Sequence, residues 1–298
     1  MGEPHRQERH VVNKNHWATK SSVERDAEEY ARAVPYMIAG KETLLCWVLN
    51  GIYLFVDPND LSVAPHLAMK GHWDSWTTLA VSRLDLNGKR VLNVGANFGY
   101  FTMLFAKMGA ARVDAYEPIS RCAHLLRASA NLNGLSGVVS VHEAAMVTDD
   151  RCDVALAFHQ TLWGGSSVVD ASVATSPDDA ARPAGSSLFK LVKVPASPVP
   201  VDAEYDMIFM DVEGYEAELL PAFVKNKTIA PGGQVWLEWA PDRWGASSAL
   251  TLAQQLAGPS GSVAIVRGTG DLEHMSPEEL VAQTIGKEVC ETVLGCPR

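Results

Sequence analysis

Apolar positions along this chain fall into two patterns, short continuous runs and longer stretches with helical spacing. Val91, Leu92 and Val94 form one short run, closed by Gly95. Phe98, Phe101, Phe105 and Met108 then recur at the spacing of a single helix face. The alternation continues, predicting a helix over 98–108, a strand over 112–116 and a helix over 119–133 that closes at Asn133-Gly134. Strands follow over 138–142, 205–211 and 234–237, then a helix over 246–257, a strand over 263–267, a helix over 276–286 and a final strand near 290–294. Strands that alternate with helices predict an α/β fold with a mostly parallel sheet.

Upstream the pattern differs. Residues 1 to about 22 are polar, and 22–34 read as a short helix that stops before Pro35. Thr43–Leu49 and Ile52–Val56 are apolar runs separated by Asn50-Gly51, the signal of a type I′ hairpin. Helices are expected at about 60–70 and 74–84. The chain therefore divides into a tail and short helix (1–34), a hairpin with a helical lead-in (35–85) and the alternating α/β region (86–298). Residues 170–187, rich in Ala, Ser, Asp and Pro, read as an exposed insertion.

A strand, a glycine turn and a helix together make the cofactor crevice of a parallel sheet. Gly95 lacks a Cβ and lets a ligand approach the backbone. The next strand ends at Glu117-Pro118, and Glu117 lies 22 positions after Gly95. There a carboxylate can accept hydrogen bonds from both hydroxyls of a ribose. The glycines are G-A-N-F-G, with Asn97 where a dinucleotide fingerprint needs a second glycine, and no P-loop occurs. A cofactor with a ribose and no pyrophosphate fits this turn, and S-adenosylmethionine is the common one. Glu117, Asp211 and Glu238 each end a strand, so the three acids converge on one crevice.

The runs VLNVGANFGYFT, AYEP, EAA (Glu143–Ala145) and DMIFMDVEGYE resemble the FkbM-type S-adenosylmethionine-dependent methyltransferases. The lead-in DPNDLSVAPHLAMKGHWDSWTT is similar as well, so the resemblance spans roughly residues 45–296. It implies a class I methyltransferase fold, a Rossmann-like and mostly parallel sheet with helices on both faces. By analogy the last two strands form an antiparallel edge. It also implies O-methylation of a sugar or natural-product hydroxyl. Asn93, Gly95, Asn97, Gly99, Glu117, Pro118, Ala145 and Asp211 become the cofactor-binding set. Asp211, Glu213, Glu238 and His72 become the catalytic candidates, with His142 and His159 as further bases. Two positions depart from the family pattern: Asn93 stands where an acid is usual, and Phe209 where a lysine is frequent.

Composition narrows the reading. The formal net charge of −10 argues against a nucleic-acid partner and leaves a small molecule as the expected acceptor. No apolar span is long enough for a membrane helix. Cys46, Cys122, Cys152, Cys290 and Cys296 are few, scattered and odd in number, the usage of a reduced, cytoplasmic protein. A divalent cation on Asp211, Glu213 and Glu238 is chemically reasonable. The motif does not require one, and none is assigned. Trp73, Trp76 and Trp163 can wall a ring-shaped substrate or pack in the core. The alternatives to O-methylation are N-methylation and a non-catalytic nucleoside-binding module, the latter kept open by Asn93.

Overall fold

The structure is a computed structural model, and it describes residues 36–169, 188–286 and 291–297. The predicted tail, the helix over 22–34 and the insertion over 170–187 lie outside the described residues.

The first three strands, β1 (Tyr36–Gly40), β2 (Thr43–Val48) and β3 (Ile52–Val56), form an antiparallel sheet. β1 is fully exposed although its residues are apolar, and the hairpin reading did not include it. The hairpin forms, but its turn is shifted by one residue. Leu49 and Asn50 hold the left-handed backbone, with φ of 50° and 49°. Leu49 is buried, and its N–H donates to the Gly71 carbonyl at 3.0 Å. That tertiary bond overrides the local Asn-Gly preference. Two helices follow, α1 (Val63–Lys70) and α2 (Ser75–Ser82).

The central sheet contains β4 (Arg90–Val94), β5 (Arg112–Tyr116), β6 (Val139–His142), β11 (Tyr205–Met210), β12 (Ile229–Trp239), β13 (Val263–Val266), β14 (Leu272–Met275) and β15 (Glu291–Gly295). Their order is β14-β13-β15-β12-β11-β4-β5-β6. β4, β5, β6, β11 and β12 pair in parallel. Only β15 and β14 run against the others, because β13 is antiparallel to β15 and so parallel to β12. This corrects the expected antiparallel edge: of the last two predicted strands only the final one is reversed, and it lies inside the sheet. A second sheet, β7 (Ala145–Val147), β8 (Asp153–His159), β9 (Ser167–Val169) and β10 (Phe189–Pro198), branches off after β6.

Helices α3 (Tyr100–Lys107), α4 (Ser120–Leu132), α5 (Glu216–Lys225), α6 (Pro241–Trp244), α7 (Ala246–Ala257) and α8 (Pro277–Thr284) complete the fold. Alternate residues of each central strand enter opposite cores. Val91, Met207 and Phe209 pack with α1 to α4, whereas Leu92, Val94, Ile208 and Met210 pack with α5, α7 and α8. Burial on both faces explains why these strands read as continuous apolar runs. The lead-in shares the first core with the sheet. The result is a Rossmann-like fold of the class I methyltransferase type. Among the described residues no helix is long and apolar enough to cross a membrane.

Candidate active site

The carboxyl ends of β4, β5, β11 and β12 border a cleft of about 320 Å³. Its floor is the Gly95–Phe98 turn. Gly95 has φ of +82°, and a Cβ there would lie 1.8 Å from the Asp211 carbonyl oxygen. The glycine thus serves the close approach of β4 and β11 as well as any ligand. Gly99 is explained differently: its Cβ would lie 2.0 Å from Leu126 Cδ1, and it does not line the cleft. It packs the start of α3 against α4.

Glu117 is buried at the tip of β5 and lines the cleft. Its Oε2 accepts from the Asn97 N–H and its Oε1 from the Ile119 N–H, both at 2.7 Å. Burial pushes its pKa up to about 7 despite those two donors. Each oxygen keeps a second lone pair for a ligand hydroxyl. Asn97 adopts φ of 49° to present its N–H, and Pro118 and Ala145 also line the cleft. Asn93, only 2% exposed, donates through Nδ2 to Thr102 Oγ1 at 2.8 Å. No donor of the described residues reaches its Oδ1.

A turn at 161–165 lies over the cleft and is fastened to the lead-in by Asp60. This carboxylate, 0% exposed, accepts from the N–H groups of Ser62, Val63, Ala64 and Trp163 at 2.8–3.1 Å. Leu61 N–H adds a bond to the Thr161 carbonyl at 2.6 Å. Ser62, Val63, Trp73 and Trp163 thereby become cleft walls. A buried chain from the Trp73 carbonyl through Thr78 Oγ1 to the Tyr100 hydroxyl braces the same wall.

Asp211, Glu213 and Glu238 meet at the other end, their oxygens within 4.8 Å of one another. Arg243, from α6, sits on two of them, with Nη2 at 2.7 Å from Glu213 and Nη1 at 3.4 Å from Glu238. Asp211 is solvent-accessible within the cleft. Even so, the surrounding protein mass raises its pKa well above the usual carboxylate range, and the charges of Glu238, Glu213, Glu216 and Asp74 add to the shift. Glu216 is fully buried and accepts from the N–H groups of Val212 and Gly214 at 2.8 and 2.9 Å. Its role is to shape the loop that carries Asp211 and Glu213.

The histidine candidates do not come together here. His72 is buried with Nδ1 at 3.1 Å from Ser75 Oγ and does not line the cleft, although its neighbour Trp73 does. His142 stacks on Tyr116 at 4.4 Å, and His159 Nδ1 accepts the Leu162 N–H at 2.9 Å; neither lines the cleft. Trp76 is exposed and also lies outside it. Arg243 and Asp60 escaped the sequence reading. Asp60 precedes a helix start, a position that favours acids, while Arg243 is brought in by α6, whose four residues carry no periodicity.

No protein-family model matches the chain. A stretch of 97 residues is 31% identical to the ribosomal protein L11 methyltransferase of Deinococcus radiodurans, covering 32% of this chain and 36% of that protein. Among solved structures, Trm5b from Pyrococcus abyssi aligns with 88% of this chain and 61% of its own, at 16% identity and a TM-score of 0.43. Trm5 from Methanocaldococcus jannaschii, in complex with adenosine, aligns with 87% and 56%, at 10% identity and a TM-score of 0.44. The chain spans about a third of the curated relative and less than two thirds of either structure.

The cofactor end of the cleft yields one prediction. Asn93→Asp tightens S-adenosylmethionine binding about fivefold, because a carboxylate gains roughly 1 kcal/mol over an amide toward an ammonium group. Calorimetry on the two proteins checks it; weaker binding by the variant assigns Asn93 another role.

Proposed function

We propose that the chain is an S-adenosylmethionine-dependent methyltransferase, of FkbM type, that methylates a hydroxyl of a small sugar-like or natural-product molecule. The observation that carries this reading is Glu117, a buried carboxylate fixed by two backbone donors at the ribose position of a Rossmann-like cleft. The match to a protein named as a methyltransferase, though partial, supports it. The FkbM assignment rests on the motifs alone.

The residues present fit this cofactor. Glu117 takes the ribose hydroxyls, Asn93 Oδ1 offers an acceptor for the ammonium, and Pro118, Ile119, Ala145 and Met146 offer a largely apolar wall. The cofactor supplies an electrophilic methyl on a sulfonium. The chain must align the acceptor for in-line displacement and receive its proton. Asp211 is the group suited to that task, since its carboxyl group follows β11 and lines the cleft beside Glu213 and Glu238. Tyr100 is not, because burial pushes its hydroxyl far above the usual tyrosine value and keeps it neutral.

Two measurements test the reading. Calorimetry with S-adenosylhomocysteine is expected to give saturable binding, and no binding refutes the cofactor assignment. With an acceptor found by screening hydroxylated metabolites, Asp211→Asn cuts turnover about 10²-fold or more while leaving cofactor affinity within a few fold. Full activity in that variant makes the acid cluster structural.

A further inference from the structure

The three-stranded N-terminal sheet has two unlike edges. On one side the end of α4 blocks β3. The Tyr53 N–H donates to Asn133 Oδ1 at 3.0 Å, Asn133 Nδ2 donates to the Tyr53 carbonyl at 2.6 Å, and the Phe55 N–H donates to Ser129 Oγ at 2.9 Å. On the other side β1 pairs with β2 alone, so among the described residues its outer edge meets no strand. Its side chains are equally uncovered, with Tyr36 58%, Met37 60% and Ile38 75% exposed. Soluble proteins guard such an edge with charges or proline. Tyr36–Gly40 holds neither. We propose that a second copy of this chain covers it, β1 pairing antiparallel with the partner's β1 about a two-fold axis at Ile38.

Three observations select a second copy. The first is that the strand fits itself. With Ile38 opposite its own counterpart, Tyr36 faces the partner's Gly40 and Met37 faces the partner's Ala39, large against small on both faces of the sheet.

The second is charge. The formal net charge of −10 makes copies of the chain repel one another. β1 carries no charge, and Lys41 and Glu42 just beyond it cancel. Here two acidic molecules meet with no like charges opposed along the strand.

The third is closure. Pairing at β1 gives a six-stranded sheet whose two ends are both β3, each blocked by its own α4. Association therefore stops at two copies and does not run on into a filament. The area sets its strength. Three half-exposed apolar side chains and a strip of peptide groups bury on the order of 400 Å² per copy, at the small end of the interface range, so the dimer is weak and reversible.

Sedimentation velocity on the full chain, from about 1 μM to 1 mM, tests this. A reversible equilibrium between the 32.2 kDa chain and twice that mass is expected, tightening with added salt as the net charges are screened. Ile38→Lys and Ile38→Glu each set like charges opposite one another, and each is expected to weaken association tenfold or more. Mixing the two variants is expected to restore it, because a two-fold axis at this residue brings their opposite charges together. Leu272→Lys, a matched change on exposed β14, is expected to leave association unchanged. Urea denaturation confirms that each variant folds. If either Ile38 variant does not, Met37→Lys mixed with Ala39→Glu gives the same test, since the register sets those positions opposite. A wild-type chain that stays monomeric throughout, or that grows beyond two copies, overturns the proposal. So does a dimer that survives in both charge variants, or a mixture that fails to reassociate.

Discussion

Glu117→Ala lowers S-adenosylhomocysteine affinity about 100-fold, the loss of two hydrogen bonds to a charged acceptor at roughly 1.5 kcal/mol each. The variant also strands the N–H groups of Asn97 and Ile119, which now donate to this carboxylate. Glu117→Gln separates the two effects, since it keeps an oxygen but places an amide donor against a backbone N–H. The wild-type affinity depends on pH. Burial raises the folded pKa to about 7, above the roughly 4.3 of an unfolded glutamate. Ribose hydroxyls favour the ionised form, so affinity is full above pH 7 and falls by up to tenfold per unit below it. Protein stability moves the opposite way. The folded state holds this proton more tightly than the unfolded one, so the Glu117 contribution worsens as pH rises from about 4 to 7. Burial also raises Glu216 to about 7, and Asp211 titrates high, so the pH dependence assigned to Glu117 is the part that Glu117→Gln removes. An affinity unchanged in the folded alanine variant refutes the ribose assignment.

Gly95→Ala destabilises the protein by more than about 3 kcal/mol and abolishes cofactor binding with it. Holding a left-handed backbone costs an L-residue about 1–2 kcal/mol. The remainder comes from the Cβ meeting the Asp211 carbonyl at 1.8 Å, a backbone atom that cannot rotate away. The tips of three strands are drawn together at this point. Gly95 and Ala96 donate to the Tyr116 carbonyl at 3.0 and 2.9 Å, and Asp211 donates to Val94 at 3.0 Å. A methyl at Gly95 therefore separates β4 from β11 and carries Asp211 off the cleft. Urea denaturation reads the stability, and calorimetry on the folded fraction reads binding. Wild-type stability in Gly95→Ala would show that the strand tips are not packed this tightly.

The strands that build the cleft were legible because they are buried on both faces. Val91–Val94 and Tyr205–Met210 are apolar apart from Asn93 and Asp206, and no surface alternation blurs them. Glu117 and Asp211 were legible for a related reason, since acids closing such runs have few structural uses. β14 was opaque because it buries only Met275, and β1 was missed although Tyr36–Ala39 are apolar, since they stay exposed beside the hairpin. Tertiary partners decided the remainder. Leu49 took the turn position because Gly71 offered it an acceptor, and the bare Cα of Gly99 leaves room for Leu126. His72 and Trp73 are adjacent in the chain, yet only the tryptophan reaches the cleft. Spacing alone does not separate the two.

β15 follows both β12 and β13 in the chain but lies between them. While a ribosome is still producing residues 240–290, the nascent sheet exists as two pieces, each with an open row of peptide groups beside the gap. The closing step is long-range and slow by nature. Before it, the open edges can recruit a strand from another polysome-bound copy, and aggregation competes with completion. The cleft itself is assembled from β4, β5, β11 and β12, all made before that step. A ligand able to enter early would steady the unfinished half and act as a folding aid, a reason to supply S-adenosylmethionine analogues during expression.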